Sequence, residues 1–170
     1  MGLFNEMGME SFSNPEVSES KRKLLKLEKE KLYLFHGSRE AEIEKLEPRQ
    51  PFTIPEEEKE MTKDGEPCVA ATPYVEIAIF RALVSGRSGF GVSVYSPEDS
   101  SIELRASREA LKEAEKKKGY VYVLSREGFA PRIPGIENAM EWRSEKSVKP
   151  EMVIEVTFKD ISEKVKIIEK

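Results

Sequence analysis

Cysteine and histidine are nearly absent from this sequence: Cys68 and His36 are the only ones in 170 residues. One cysteine closes no internal disulfide and forms no CxxC pair, and the two residues are too far apart in sequence for the usual zinc ligation, so no metal is expected. No apolar run approaches the ~20 residues of a transmembrane helix. Residues 1–14 contain no secretory h-region. The expected setting is cytoplasmic and away from membranes. Also missing are a GxGxxG after a strand, a GxxxxGK[ST] loop and a GxSxG elbow, which disfavours Rossmann and P-loop folds and singles out no nucleophilic serine. Acidic residues outnumber basic ones by 32 to 28, for a net charge of −4, so the footprint of a duplex nucleic-acid binder is absent. The basic runs at Lys21-Arg22-Lys23 and Lys116-Lys117-Lys118 alternate with glutamates and read as solvated helix faces.

What is present is a globular composition, with 38% hydrophobic and 35% charged residues. The length suits one domain. No internal repeat is visible. Residues 1–17 read as a flexible leader, and residues 18–170 as a single domain. Residues 18–31 read as a charged helix with a thin stripe of Leu24, Leu25 and Leu27. Residues 32–35 are a short apolar strand stopped by His36-Gly37-Ser38. A short helix is expected over 41–46. Three prolines and a charge run make 48–65 a surface loop. A buried strand covers 68–71. Thr72-Pro73 then opens a helix to about Ser85, capped by Gly86. Strands are expected at 92–95 and 102–104. A helix capped by Ser107 runs to Lys118 and ends at Gly119. A strong strand covers 120–124, a loop covers 129–139, and strands at 152–158 and 165–168 close the sheet. Strands and helices do not alternate as βαβ units, so a mixed or antiparallel α+β sheet is expected.

Three segments could carry chemistry. His36 ends a strand beside a glycine, which permits close backbone approach, and a serine, which adds hydrogen-bonding capacity. Residues 69–80 could line a cleft wall, or Ile79, Phe80 and Leu83 could simply be core. In Glu141-Trp142-Arg143-Ser144-Glu145, two acids flank a tryptophan. That pattern suits a cleft carboxylate, or a surface loop of paired charges.

Taken in order, these segments resemble the catalytic domain of the ADP-ribosyltransferase superfamily, that of poly(ADP-ribose) polymerases and diphtheria-toxin-like enzymes. Leu34-Phe35-His36-Gly37-Ser38 resembles the family's His-Gly-Ser strand. Val69-Ala70-Ala71-Thr72 resembles its Tyr-Phe-Ala-Asp strand end, with Phe80 at the position of the helix aromatic. Met140-Glu141-Trp142 resembles the segment that carries its catalytic glutamate. The likeness spans residues 32–158. It implies a mainly antiparallel, split β-sheet with flanking helices and cleavage of the nicotinamide–ribose bond of NAD. NAD would be the substrate, and the acceptor is open: protein, nucleic acid, small molecule or water. The resemblance assigns His36 to a ribose hydroxyl, the Gly37 backbone to the carboxamide with Ser38 in support, and Phe80 to the nicotinamide ring. Glu141 would be the acid, with Glu145 as a contender. Val69 and Ile77 stand where the family often has a tyrosine and a serine. Tyr74 would then supply an aromatic wall from another backbone position. Two alternatives stand beside this reading: a non-catalytic relative that binds NAD, ADP-ribose or a protein, and an RNA 2′-phosphotransferase-like enzyme.

Overall fold

The computed structural model describes residues 17–53, 60–84, 91–96, 98, 101–161 and 164–168. The expected leader, the Gly86 cap and the turn after it lie outside these residues.

Helix α1 (Glu19–Glu30) starts where Ser18 can cap it: the Ser18 Oγ accepts from the Lys21 N–H at 3.0 Å. The same hydroxyl donates to the Asp160 carboxylate, which ties the helix start to the C-terminal part of the chain. Of the leucine stripe, Leu24 is fully buried, while Leu25 and Leu27 pack partly against the core.

Strand β1 (Tyr33–Ser38) pairs antiparallel with β7 (Lys118–Ser125), which pairs antiparallel with β10 (Met152–Thr157). Strands β1 and β7 are covered on both faces because their residues alternate between two apolar clusters, whereas β10 exposes Val153 and Glu155 on one face. Phe35, Val121 and Val123 face one cluster, with α1 and with α2 (Val75–Leu83); Leu34, Tyr122 and Leu124 face the other, with Val69, Ala71 and Trp142. Helix α2 lies directly on the sheet. A Cβ on Gly37 would stand 2.0 Å from the Ala78 carbonyl oxygen, and one on Gly119 would stand 2.7 Å from that of Ala82. Both glycines are therefore required by the close approach of α2.

A second layer is built from β4 (Val69–Ala71), β9 (Trp142–Ser144) and β8 (Ala130–Pro131), in the order β4-β9-β8 and antiparallel throughout. It joins β1 through a single bridge in which Phe35 and Thr72 exchange backbone hydrogen bonds of 2.8 and 2.9 Å. A third sheet orders β11 (Val165–Ile167), β6 (Ser101–Ala106) and β5 (Gly91–Ser96), with β11 parallel to β6. Helix α3 (Arg108–Glu115) is capped by the Ser107 hydroxyl, and a hairpin of β2 (Phe52–Thr53) and β3 (Thr62–Lys63) completes the described elements. The class is α+β, with three helices among the described residues and mainly antiparallel strands. None of those helices is long and apolar enough to cross a membrane.

Several local expectations change. Residues 41–46 form no helix: Glu42 is left-handed at φ 60°, and the Tyr122 hydroxyl takes up the Ile43 N–H and the Glu40 carbonyl. Leu46 instead bridges Val148 in extended conformation. Gly119 ends no helix; it lies inside β7, because α3 stops at Glu115. Helix α2 begins at Val75, later than Thr72-Pro73, because the Thr72 backbone is committed to Phe35. The Glu28 carboxylate accepts the Val75 N–H at 2.7 Å in place of a local cap. Residues 48–65 contain the β2–β3 hairpin, and Glu141 leads into a strand whose Trp142 is 6% exposed. The final strand, β11, joins the sheet of β5 and β6 and leaves the central sheet to end at β10.

Candidate functional site

His36 lies within β1 rather than at its end, beside the seam where β1 meets β4. Its Nδ1 is 2.8 Å from the Ala70 carbonyl oxygen. A carbonyl only accepts, so Nδ1 carries the proton and Nε2 of the neutral ring is left as an acceptor. Burial pushes the imidazole below its ordinary value; the Ala70 hydrogen bond opposes this, and the nearby charges of Arg81 and Arg49 add to the lowering. A neutral ring is thereby favoured near pH 7.

His36, Ser38, Arg49, Cys68 and Ala70 line a cleft of about 300 Å³, with Gln50 and Pro51 at the base of the β2–β3 hairpin closing one side. The Ser38 hydroxyl accepts from the Glu40 N–H at 3.1 Å, which shapes the turn leaving β1. Gly37 serves packing: the space its side chain would fill holds α2. Cys68 is buried, and burial raises its thiol above the ordinary value, so it is not an activated nucleophile.

Glu141 arrives from the other side of β4. The ladder pairs Ala71 with Trp142, so one step further sets Glu141 across from Thr72, which is itself bridged to Phe35 beside His36. Two strand spacings then separate the backbones of His36 and Glu141, about 10 Å. The carboxylate is held in place: Oε2 accepts from Arg143 Nε at 2.6 Å, and Arg143 also donates to Asp64 at 2.7 Å (backbone) and 3.0 Å (carboxylate). Arg132 adds two bonds of 2.8 Å to the Asp64 carboxylate, so the hairpin end, β9 and the loop before it share one charged network. The Arg132 and Arg143 guanidiniums hold the Asp64 carboxyl below the usual range. Glu145 is exposed in the turn after β9.

Arg81 is the residue that sequence reasoning missed. It is the one cation in the otherwise mostly buried helix Val75–Leu83. Burial lowers its guanidinium from the ordinary value and the charge of Glu141 opposes that; its own charge in turn acts on His36. The signal was available, since a basic residue in a buried helix needs a polar destination. Arg143 was legible in part: in a strand, residues two apart share a face, which sets it beside Glu141. Asp64 carried no sequence signal.

His36 and Ser38 thus line one cleft, whereas Glu141 lies across β4 and is not part of its lining; Arg81 is the group whose charge acts on both His36 and Glu141. Two other candidates lie elsewhere. Phe80 is 2% exposed and packs in the core with Leu24 and Phe35, and Ile77 is fully buried. Tyr74 lines a separate pocket beyond the far end of β4, and its hydroxyl donates to the Asn138 carbonyl at 2.6 Å. No group of three or more potential metal ligands occurs among the described residues. Comparison with protein-family models, curated proteins and solved structures finds no match for the chain.

Proposed function

We propose that the chain is an NAD-cleaving enzyme, an ADP-ribosyltransferase or NAD glycohydrolase with an ADP-ribosyltransferase-like fold. The observation that carries this reading is that His36 and Glu141, more than a hundred positions apart, flank one strand, β4, with the charge of Arg81 acting on both. His36 Nε2 accepts a ribose hydroxyl. Glu141 has one oxygen held by Arg143 and one left to accept the 2′-hydroxyl of the nicotinamide ribose.

In the reaction, the C1′–N bond breaks and its electron pair leaves with nicotinamide. Positive charge grows on the ribose. A fixed carboxylate beside it stabilises that charge, worth about 3 kcal/mol by analogy with a single preorganised hydrogen-bond partner. Water or an acceptor hydroxyl or amine then bonds to C1′ and gives its proton to solvent. Arg143 and Asp64 are positioning residues, because they pin the carboxylate without meeting the substrate.

Incubating the protein with NAD and following free nicotinamide by proton NMR tests the reading. Release is expected from the wild type, with a loss of about a hundredfold or more in Glu141→Gln and little change in Glu145→Gln. Full activity in both variants would dismiss the assignment of the acid.

The buried Phe80 and Ile77 favour a second reading, a non-catalytic NAD or ADP-ribose binder without the aromatic wall for nicotinamide. NAD would then raise the melting temperature without nicotinamide appearing. An RNA 2′-phosphotransferase would need several free basic groups. Arg49 lines the His36 cleft, whereas Arg81 is buried beside the charge of Glu141 and Arg143 is paired with Glu141 and Asp64.

A further inference from the structure

A second pocket, of about 430 Å³, opens where α1 ends and α2 begins, at the other end of β4 from the His36 cleft. Lys29, Lys31 and Arg126 line it, and none of the three makes an ion pair among the described residues. Two carboxylates share the lining, Glu28, which accepts the Val75 N–H at 2.7 Å and is also attracted by Lys29 and Lys31, and Glu137, exposed on the facing loop, so the three cations keep an excess of one positive charge.

Arg126, which lines the pocket, carries an unmatched donor. Arg126 lies over the Trp142 ring, 4.9 Å from its centroid, and its one side-chain hydrogen bond is a long 3.4 Å contact to the Tyr33 carbonyl. Arg126 Nε is buried with no hydrogen-bond partner among the described residues. A buried donor lacking an acceptor costs free energy that a ligand drawing the guanidinium into the pocket can return. The ligand that fits is anionic, rich in acceptor oxygens and able to meet a guanidinium fork and lysines together, which describes a phosphate better than a carboxylate.

We infer that this pocket is a second binding site, taking a phosphate group of a small molecule between Arg126 and the lysine pair Lys29 and Lys31. The inference does not depend on NAD cleavage, because it shares no lining residue with the His36 cleft.

The chain contains a single tryptophan, and Arg126 of the pocket lies over its ring, so its emission reports on the position of Arg126. Inorganic pyrophosphate is titrated into the full-length protein at constant ionic strength, with sodium chloride as compensating salt and excitation beyond the tyrosine band. A saturable change in emission is expected, with matching broadening of the pyrophosphate phosphorus resonance. Lys29→Ala combined with Lys31→Ala leaves the Arg126–Trp142 stack in place and should weaken binding about tenfold or more. His36→Gln should bind pyrophosphate as the wild type does. A response that never saturates, or a midpoint unmoved by the double lysine variant, overturns the site. Loss of binding in His36→Gln overturns it as well, since the anion would then occupy the other cleft.

Discussion

At His36 a single hydrogen bond sets both tautomer and charge. With the Nδ1 proton given to Ala70 and burial working against the imidazolium, the folded-state pKa lies below the ordinary 6.5. The unfolded chain then binds more protons than the native one in the window beneath that value. The stability contribution is present in full above it and is lost as the pH falls through it toward the folded value. Urea midpoints at about pH 7.5 and about pH 5.5 should show this drop. His36→Asn should remove that part of the profile; an unaltered profile would mean the ring is not buried neutral. Gly37 is set by sterics alone. Gly37→Ala drives a methyl into the Ala78 carbonyl and should cost about 3 kcal/mol or more. Gly128→Ala, in open space at φ 83°, should cost only about 1–2 kcal/mol from its positive φ. Equal losses for the two variants in denaturant melts would contradict the packing of α2 on β1.

Between elements, the contacts that matter are polar and long-range. Glu28 on α1 caps α2, a role no local pattern could reveal because the partners are 47 positions apart. Burial raises its carboxyl above the ordinary value, with the Val75 hydrogen bond opposing. Glu28→Ala should lower stability by about 1 kcal/mol, measurable as a shift in the urea midpoint, with faster amide exchange at the start of α2. An unshifted midpoint would mean the cap contributes nothing. Asp64 ties the β2–β3 hairpin to β9 through Arg143 and to the preceding loop through Arg132. Because these pairs are partly exposed, Asp64→Asn should cost no more than about 1 kcal/mol overall. Its clearer effect should be accelerated amide exchange in β3. Unchanged exchange there would show that the hairpin is held by other contacts. The helices around Leu24 and behind Ser107, and the strands β1, β4, β7 and β10, were legible because apolar periodicity and capping residues are local signals. Residues 41–46, Gly119 and the delayed start of α2 were misread because the Tyr122 hydroxyl, the α2 backbone and Glu28 decide them from elsewhere in the chain.

For the molecule as a whole, the mixed, mainly antiparallel α+β class follows from the absence of βαβ alternation. The arrangement of three small sheets does not, since strand pairing across a single Phe35–Thr72 bridge leaves no trace in either segment alone. The candidate site was half visible. His36 and Glu141 stood out as lone or clustered polar groups beside apolar strands. Arg81 was hidden by the apolar helix around it, and Phe80, which the residue pattern leaves open between cleft wall and core and the resemblance assigns to the nicotinamide ring, is core. The claim that joins these scales is that NAD binds with a ribose hydroxyl on His36 Nε2. The most direct measurement is a long-range proton–nitrogen NMR spectrum of the imidazole, unambiguous because the chain has one histidine, recorded with and without NAD. The account predicts a neutral ring protonated on Nδ1 whose Nε2 resonance moves on adding NAD while Nδ1 stays bonded to Ala70. A ring protonated on Nε2, or resonances indifferent to saturating NAD, would contradict it.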